Sequence, residues 1–369
     1  MGAVLVGDRR TARGRRLSAA VVVVARRPRL GEDRIDSPTR TLILTDTITV
    51  IDLEHARRSP RDRRQVARQI DDANSSIGFL SLINHGVSSR LLSDMYDVTA
   101  EFFDLPDEDK NTLRAQPGTS RGYMPPKSRA LAKTRGRSAP ADLVEFFSAG
   151  LPEIPRDDPW FSAARAMGHF HDNVWPDQVP HFRRIWVNYF DEMSALAFEM
   201  MQLFALALGL DEHWFDDKVD RPISNLFANH YPPLTEQPED GQLRVGEHTD
   251  YGSLTLLYQR DTVGGLEVCI DDTWTAIDPT PNSFVVNIGD LMARWTNDRW
   301  TSTLHRVQNP SMAGPASRRI SLPFFCQPNY DTLVETIPTC IPADQRPRYV
   351  PITSGDNVTN KTNTSFAAN

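Results

Sequence analysis

The chain has 369 residues, 40% hydrophobic and 24% charged, enough apolar material for one large core or two ordinary ones, and this mixture excludes a chain that is disordered throughout. No uncharged apolar run approaches the roughly 18 residues of a membrane span, so a soluble protein with no membrane partner is expected. The net charge of −7 is uneven: residues 1–40 hold ten Arg and four acidic residues (+6), leaving 31 basic against 44 acidic residues (−13) in a body that is a poor binder of nucleic acid.

In chain order, the Arg-rich leader 1–43 has an apolar stretch of only seven residues closed by Arg26 and Arg27 and no small-residue cleavage site. It is expected to be a flexible appendage rather than a secretory signal. Short β-rich segments follow at 42–44 and 48–51, then a sparsely apolar helix over 61–76, a strand running from Gly78 into the Asn84-His85-Gly86 turn, and a helix over 91–103. Residues 110–141 contain eight basic residues and no acidic one, with scattered Gly, Pro and Ser, and are expected to form a long loop or flap. From 181 to 208 Phe182, Ile185, Trp186, Tyr189, Met193, Leu196, Met200, Leu203 and Phe204 recur at helical steps, and Gly209 stands where a C-terminal cap belongs. After Asp220 short β-branched and aromatic runs suggest a sandwich or barrel. The polar tail from Asn357 is expected to fray. Three cysteines, Cys269, Cys326 and Cys340, with no CxxC pair, speak against a disulfide framework and for a reducing, cytoplasmic setting.

His248-Thr249-Asp250 places an imidazole and a carboxylate two residues apart, a step that keeps both on one face of a strand. His305 follows 55 residues later, a distance suited to returning the chain to a neighbouring strand. Two His and one carboxylate leave half of a metal's coordination sphere open, which suits a non-haem Fe(II) that must also bind a cosubstrate and O2. A single histidine is more often a surface or satisfied core residue, so the context decides. Arg319 and Ser321 repeat the two-residue step and suit a distal carboxylate, which Arg can engage through two hydrogen bonds. Arg318 competes for that role but breaks the step to Ser321. Asn229-His230-Tyr231 offers further polar contacts from a third strand.

Together with Gly78-Phe79, Asn84-His85-Gly86, Arg121-Gly122-Tyr123, Glu145-Phe146-Phe147, Asn229-His230-Tyr231-Pro232-Pro233, Gly264-Gly265-Leu266, Asn287-Ile288-Gly289-Asp290 and Arg319-Ile320-Ser321-Leu322-Pro323-Phe324-Phe325, taken in order, these residues make the sequence resemble the isopenicillin N synthase-like branch of the Fe(II)- and 2-oxoglutarate-dependent oxygenases. The resemblance spans about residues 48–366. It implies an α+β fold with a distorted double-stranded β-helix, or jelly-roll, core flanked by helices. It further implies His248, Asp250 and His305 as iron ligands, Arg319 and Ser321 on the far carboxylate of 2-oxoglutarate, and Asn229 and Tyr231 lining the cosubstrate site. The implied cofactors are Fe(II), 2-oxoglutarate and O2, and the implied reaction couples decarboxylation of 2-oxoglutarate to succinate and CO2 with C–H oxidation of a small molecule, in hydroxylation, desaturation or cyclisation. The spacing from His305 to Arg319 exceeds the family's usual spacing by a few residues, an insertion placed at 311–317.

The expected organisation is a leader (1–43), a mainly helical region with its scaffold helix (44–219), a jelly-roll oxygenase core (220–335) and a C-terminal segment (336–369). Arg121, Tyr123, Phe147 and Leu257 are the candidates for the substrate mouth, and the substrate class expected is a secondary metabolite or amino-acid derivative. The basic stretch 110–141 suits an anionic substrate, although a solvated surface loop is the plainer reading. A monomer or weak homo-oligomer is expected. The alternatives are an Fe(II) oxidase of the same fold that does not use 2-oxoglutarate, a zinc hydrolase, for which no HExxH-type base is present, and a non-catalytic jelly roll, which would be expected to have lost a ligand.

Overall fold

The computed structural model describes residues 48–136, 138–260, 264–310 and 318–366. The leader, the 42–44 segment and the 311–317 insertion lie outside the described residues. The chain begins with β1 (Thr49–Asp52), α1 (Leu53–Arg58), α2 (Pro60–Ser76), β2 (Phe79–Ile83), α3 (Ser89–Phe103), α4 (Asp107–Thr112), β3 (Gly122–Met124), a 3-10 turn at Leu131–Arg135, β4 (Glu145–Ala149), α5 (Pro159–Ala166) and α6 (Phe182–Ala207). There follow β5 (Asn225–Tyr231), β6 (Val245–His248), β7 (Leu254–Tyr258), β8 (Leu266–Ile270), β9 (Thr273–Ala276), β10 (Phe284–Ile288), α7 (Asp290–Trp295), β11 (His305–Val307), β12 (Arg319–Cys326), β13 (Leu333–Val334), β14 (Ile352–Thr353) and α8 (Ser354–Phe366).

Local signals account for the main helices. Ser59 caps α2 by accepting the Asp62 N–H, and Pro60 occupies the first helical position, where no amide hydrogen is needed. At the end of α6, the N–H of Leu210 reaches Ala205 O and that of Gly209 reaches Leu206 O, while Gly209 adopts φ +72°. That pair of bonds is the Schellman closure foreseen from Gly209.

The strands form two principal sheets. One runs in the order β1-β2-β10-β7-β12-β5-β4-β3 and the other β6-β11-β8-β9. The non-sequential order brings β5, β7, β10 and β12 side by side in the large sheet and pairs β6 with β11 in the small one, giving the jelly-roll core expected. On those four strands the even-numbered apolar side chains, such as Leu226, Leu256, Val286, Leu322 and Phe324, are buried in one core cluster with the α6 residues Trp186, Met193, Met200 and Phe204. Phe190 of α6 meets Phe324 edge-on at 5.3 Å. The odd-numbered side chains face the opposite way, into the space between the sheets.

Two expectations are corrected. The tail does not fray from Asn357: residues 354–366 form α8, tied down by Asn357 Nδ2 donating to Tyr251 O and by the Lys361–Asp290 ion pair at 2.7 Å. Tertiary contacts override its weak helix propensity. The stretch 110–141 is also more ordered than a flap, since it contributes β3 and the 3-10 turn, and Lys110 is buried against Glu145 Oε2 at 3.1 Å. No helix among the described residues is long and apolar enough to cross a membrane.

Candidate active site

The small sheet places His248 directly opposite His305 across the β6–β11 pairing. Their rings lie 4.2 Å apart between centroids. β6 ends at His248, so strand alternation alone does not place Asp250. The start of α7 does: Asp290 N–H donates to Asp250 O, Leu291 N–H to Gly252 O, and Gly289 N–H to Ser253 O, which fixes the turn after the strand. Gly289 is required there, because a side chain would run into Gly252 O.

Asp250 Oδ1 lies 3.9 Å from His248 Nε2 and 3.7 Å from His305 Nε2. One ligand atom from each of the three residues falls within 4.8 Å of the others. The remaining polar atoms of the trio are committed elsewhere. His248 Nδ1 is 2.9 Å from Gly246 O and His305 Nδ1 is 3.1 Å from Thr303 O. A carbonyl can only accept, so both Nδ1 atoms carry a proton and both Nε2 atoms are left facing Asp250 Oδ1. Asp250 Oδ2 accepts from Thr255 Oγ1 at 2.6 Å and from Asn287 Nδ2 at 2.7 Å, leaving Oδ1 available. Burial, reinforced by the neighbouring His305, pushes His248 down to about 3, which keeps the imidazole neutral. Burial works against the Asp250 carboxylate too, yet His305, His248 and the two hydrogen bonds hold it below its ordinary value. Two imidazoles and one carboxylate are a donor set that fits Fe(II), with open positions for further ligands.

Beside the trio lies a cavity walled by the odd-numbered residues of the large sheet. Arg319 pairs with Tyr231 and Ser321 with Asn229 across β12 and β5, so the four share one face and all line the cavity. Arg319 is almost fully buried; its Nη2 donates to Gln259 Oε1 at 2.6 Å, its Nη1 to Ser321 Oγ at 3.4 Å, and its Cζ sits 4.8 Å from the centre of the Tyr231 ring. No carboxylate among the described residues pairs with it, and Asn229 Oδ1 and Gln259 Nε2 are buried without partners. A buried guanidinium with only neutral acceptors is costly unless an anion completes it, so this pocket fits a dicarboxylate that also reaches the metal. Arg318 points the other way, to His230 Nε2 at 2.9 Å, Ala100 O at 3.1 Å and Asp104 Oδ1 at 2.7 Å.

Of the four residues expected at the substrate mouth, Leu257 lines the cavity and three do not. Tyr123 is in the core, its hydroxyl on Glu145 Oε2 at 2.5 Å. Phe147 packs at 5.2 Å against both Phe182 and Trp186 of the scaffold helix. Both are placed by strand parity: Phe147 pairs with Ala228 and with Tyr123, so these lie on the helix-facing side. Arg121 presses its guanidinium against Gly150, where burial lowers its pKa to about 10, and its neighbour Ser120 is the residue that lines the cavity. The sequence reading missed Thr255 and Gln259, although both continue the odd-numbered series of Leu257, and Asn287, which faces Thr255 across the sheet. It also missed Arg129 and Leu131, and Val358, Thr362 and Ser365 of α8.

The profile of the 2OG-Fe(II) oxygenase superfamily matches residues 222–328, and that of the N-terminal region named for a non-haem dioxygenase in morphine synthesis matches 48–178. Validamycin A dioxygenase of Streptomyces hygroscopicus subsp. limoneus is 33% identical over 308 residues, covering 81% of each chain. Gibberellin 20 oxidase 1 of Arabidopsis thaliana is 32% identical, covering 79% of this chain and 72% of its own. Among solved structures, a Neurospora crassa protein in complex with alpha-KG and thymine superposes with a TM-score of 0.73 at 32% identity, covering 85% of this chain and 96% of that one. The ordered motifs, the jelly roll, the His-Asp-His site and these similarities agree: the chain belongs to the isopenicillin N synthase-like superfamily of 2-oxoglutarate- and Fe(II)-dependent oxygenases, and it is an oxidoreductase that needs both Fe(II) and 2-oxoglutarate.

Proposed function

We propose that His248 Nε2, Asp250 Oδ1 and His305 Nε2 hold the iron, that Arg319 and Ser321 bind the far carboxylate of 2-oxoglutarate with Asn229 and Tyr231 beside it, and that the oxidised substrate is a small secondary metabolite or amino-acid derivative. One observation carries the reading: in the His-Asp-His trio every polar side-chain atom except three convergent ones is already committed. When bound, the iron and its cosubstrate supply O2 activation coupled to oxidative decarboxylation. The chain's own contribution is positional. Gly246 O and Thr303 O fix the tautomers, Thr255 and Asn287 fix the carboxylate, and Arg319 orients the dicarboxylate along β12. Leu257, Phe227 and Val245 give the cavity apolar wall, and α8 covers part of it through Val358 and Thr362, which restricts water.

The relatives named for validamycin A and for gibberellin support a small-molecule substrate without choosing among classes. The three cysteines without a CxxC pair support a cytoplasmic location, and a monomer or weak homo-oligomer is the assembly proposed. The test is anaerobic titration of apoprotein. Fe(II) should bind one per chain and 2-oxoglutarate should then produce a visible absorption band, while His305→Ala should abolish both. Iron binding without the band would sink the cosubstrate assignment. Substrate-stimulated succinate formation across amino-acid, terpenoid, alkaloid and flavonoid-like compounds, with product mass shifts, checks the substrate class.

A further inference from the structure

Among the described residues that line the cavity, three belong to the Asp, Glu, Lys and Arg class of charged side chains: Asp250, Arg319 and Arg129. The proposed function uses the first two and leaves Arg129. Its side chain is 11% exposed, its Nε is buried with no hydrogen-bond acceptor among the described residues, and its ion-pair partner, Asp142, stands off with Oδ2 4.0 Å from that Nε. Asp142 cannot turn toward it freely, because Oδ1 accepts the Gly246 N–H at 2.9 Å and Oδ2 the Leu131 N–H at 3.1 Å. The guanidinium is nonetheless held in place. It lies 4.4 Å over the Phe146 ring, its own carbonyl accepts the Asp142 N–H at 2.8 Å, and the next residue's N–H reaches Ser365 O of α8. A cation that is buried, pre-positioned and short of acceptors is arranged to receive a planar anion through paired hydrogen bonds. The cavity lining also includes the apolar side chains of Leu131, Val245, Val307 and Val358.

We infer that Arg129 is a specificity-determining residue that reads a carboxylate on an otherwise apolar substrate. The basic charge of 110–141 then acts through one buried side chain rather than through a solvated surface. The inference deepens the proposed function and rests on Arg319 being committed to 2-oxoglutarate.

The experiment uses protein loaded with Fe(II) and saturated with 2-oxoglutarate under nitrogen. Calorimetric titration is made with octanoate, cyclohexaneacetate and 3-phenylpropionate, each beside its methyl ester. At least one acid should bind the wild type about 10- to 100-fold more tightly than its ester, the range expected of a charge-assisted pair. Arg129→Gln should erase that preference and Arg129→Lys should keep part of it. Acids that bind no better than esters, or a preference that survives in Arg129→Gln, would overturn the inference. So would Arg129→Gln weakening 2-oxoglutarate instead of the acid. Should Arg129→Gln fail to fold, the wild-type acid-to-ester ratio and its response to Arg129→Lys decide. Arg319→Ala run in parallel separates the two assignments: unchanged 2-oxoglutarate affinity there breaks the cosubstrate reading and leaves the acid-to-ester result to be judged by itself.

Discussion

The two faces of β5, β7, β10 and β12 are built from the same strands and differ in what they touch. Even-numbered Leu226, Leu256, Val286, Leu322 and Phe324 meet the scaffold helix, and odd-numbered Asn229, Tyr231, Thr255, Asn287, Arg319 and Ser321 face the cavity. The register keeps the two sets apart across these four strands, because each pairing among them joins residues of like parity: Arg319 with Tyr231, Ser321 with Asn229, Asn287 with Thr255. Stability and chemistry are thus assigned to opposite sides of one sheet. His230 is the exception on the helix-facing side, a buried polar group satisfied by Glu145 Oε1 at 2.6 Å and by Arg318.

Removing a side chain from one face or the other puts this division at risk. The largest effect is expected at Phe324→Ala, which should lower unfolding free energy by about 3–5 kcal/mol. Its neighbour on the cavity face, Phe325→Ala, should cost about 1 kcal/mol. Urea unfolding of the two variants measures the contrast, and equal losses would break it. Next comes the anchor: Arg319→Ala should weaken 2-oxoglutarate by about 10- to 100-fold with little change in iron affinity. Arg318→Ala should leave cosubstrate binding near wild type, and equal behaviour of the two would reverse the register. The smallest effect is sought at the carboxylate's support. Asn287→Ala should reduce Fe(II) affinity by about 10-fold, at the lower end of what such supporting hydrogen bonds contribute. Val286→Ala, one residue away on the other face, should change stability and leave metal affinity alone.

Legibility in the sequence followed locality. The scaffold helix and its glycine closure were readable because a helix declares its buried face every three or four residues and its end in one glycine. That His248, Asp250 and His305 would converge, and that Arg319 and Ser321 would share a face, was legible from two-residue steps set in a long ordered series of motifs. Tyr123 and Phe147 were misplaced because a one-residue change of parity moves a strand residue from the cavity to the core, and that parity is set by pairing partners far along the chain. Arg129 lay unnoticed inside a basic stretch, since nothing local distinguishes a buried arginine from a solvated one.

By itself, then, the sequence determined the imidazole and carboxylate donor types and, through its resemblance to a family, the jelly-roll class and the 2-oxoglutarate chemistry, because these rest on side-chain chemistry and on an ordered series of motifs. The tertiary structure alone decided which ligand atoms remain uncommitted, that Arg129 lines the cavity, and that the polar C-terminal segment forms a helix over it. Those outcomes depend on contacts between residues tens to hundreds of positions apart, such as Asn357 with Tyr251 and Asn287 with Asp250, and no local pattern encodes them.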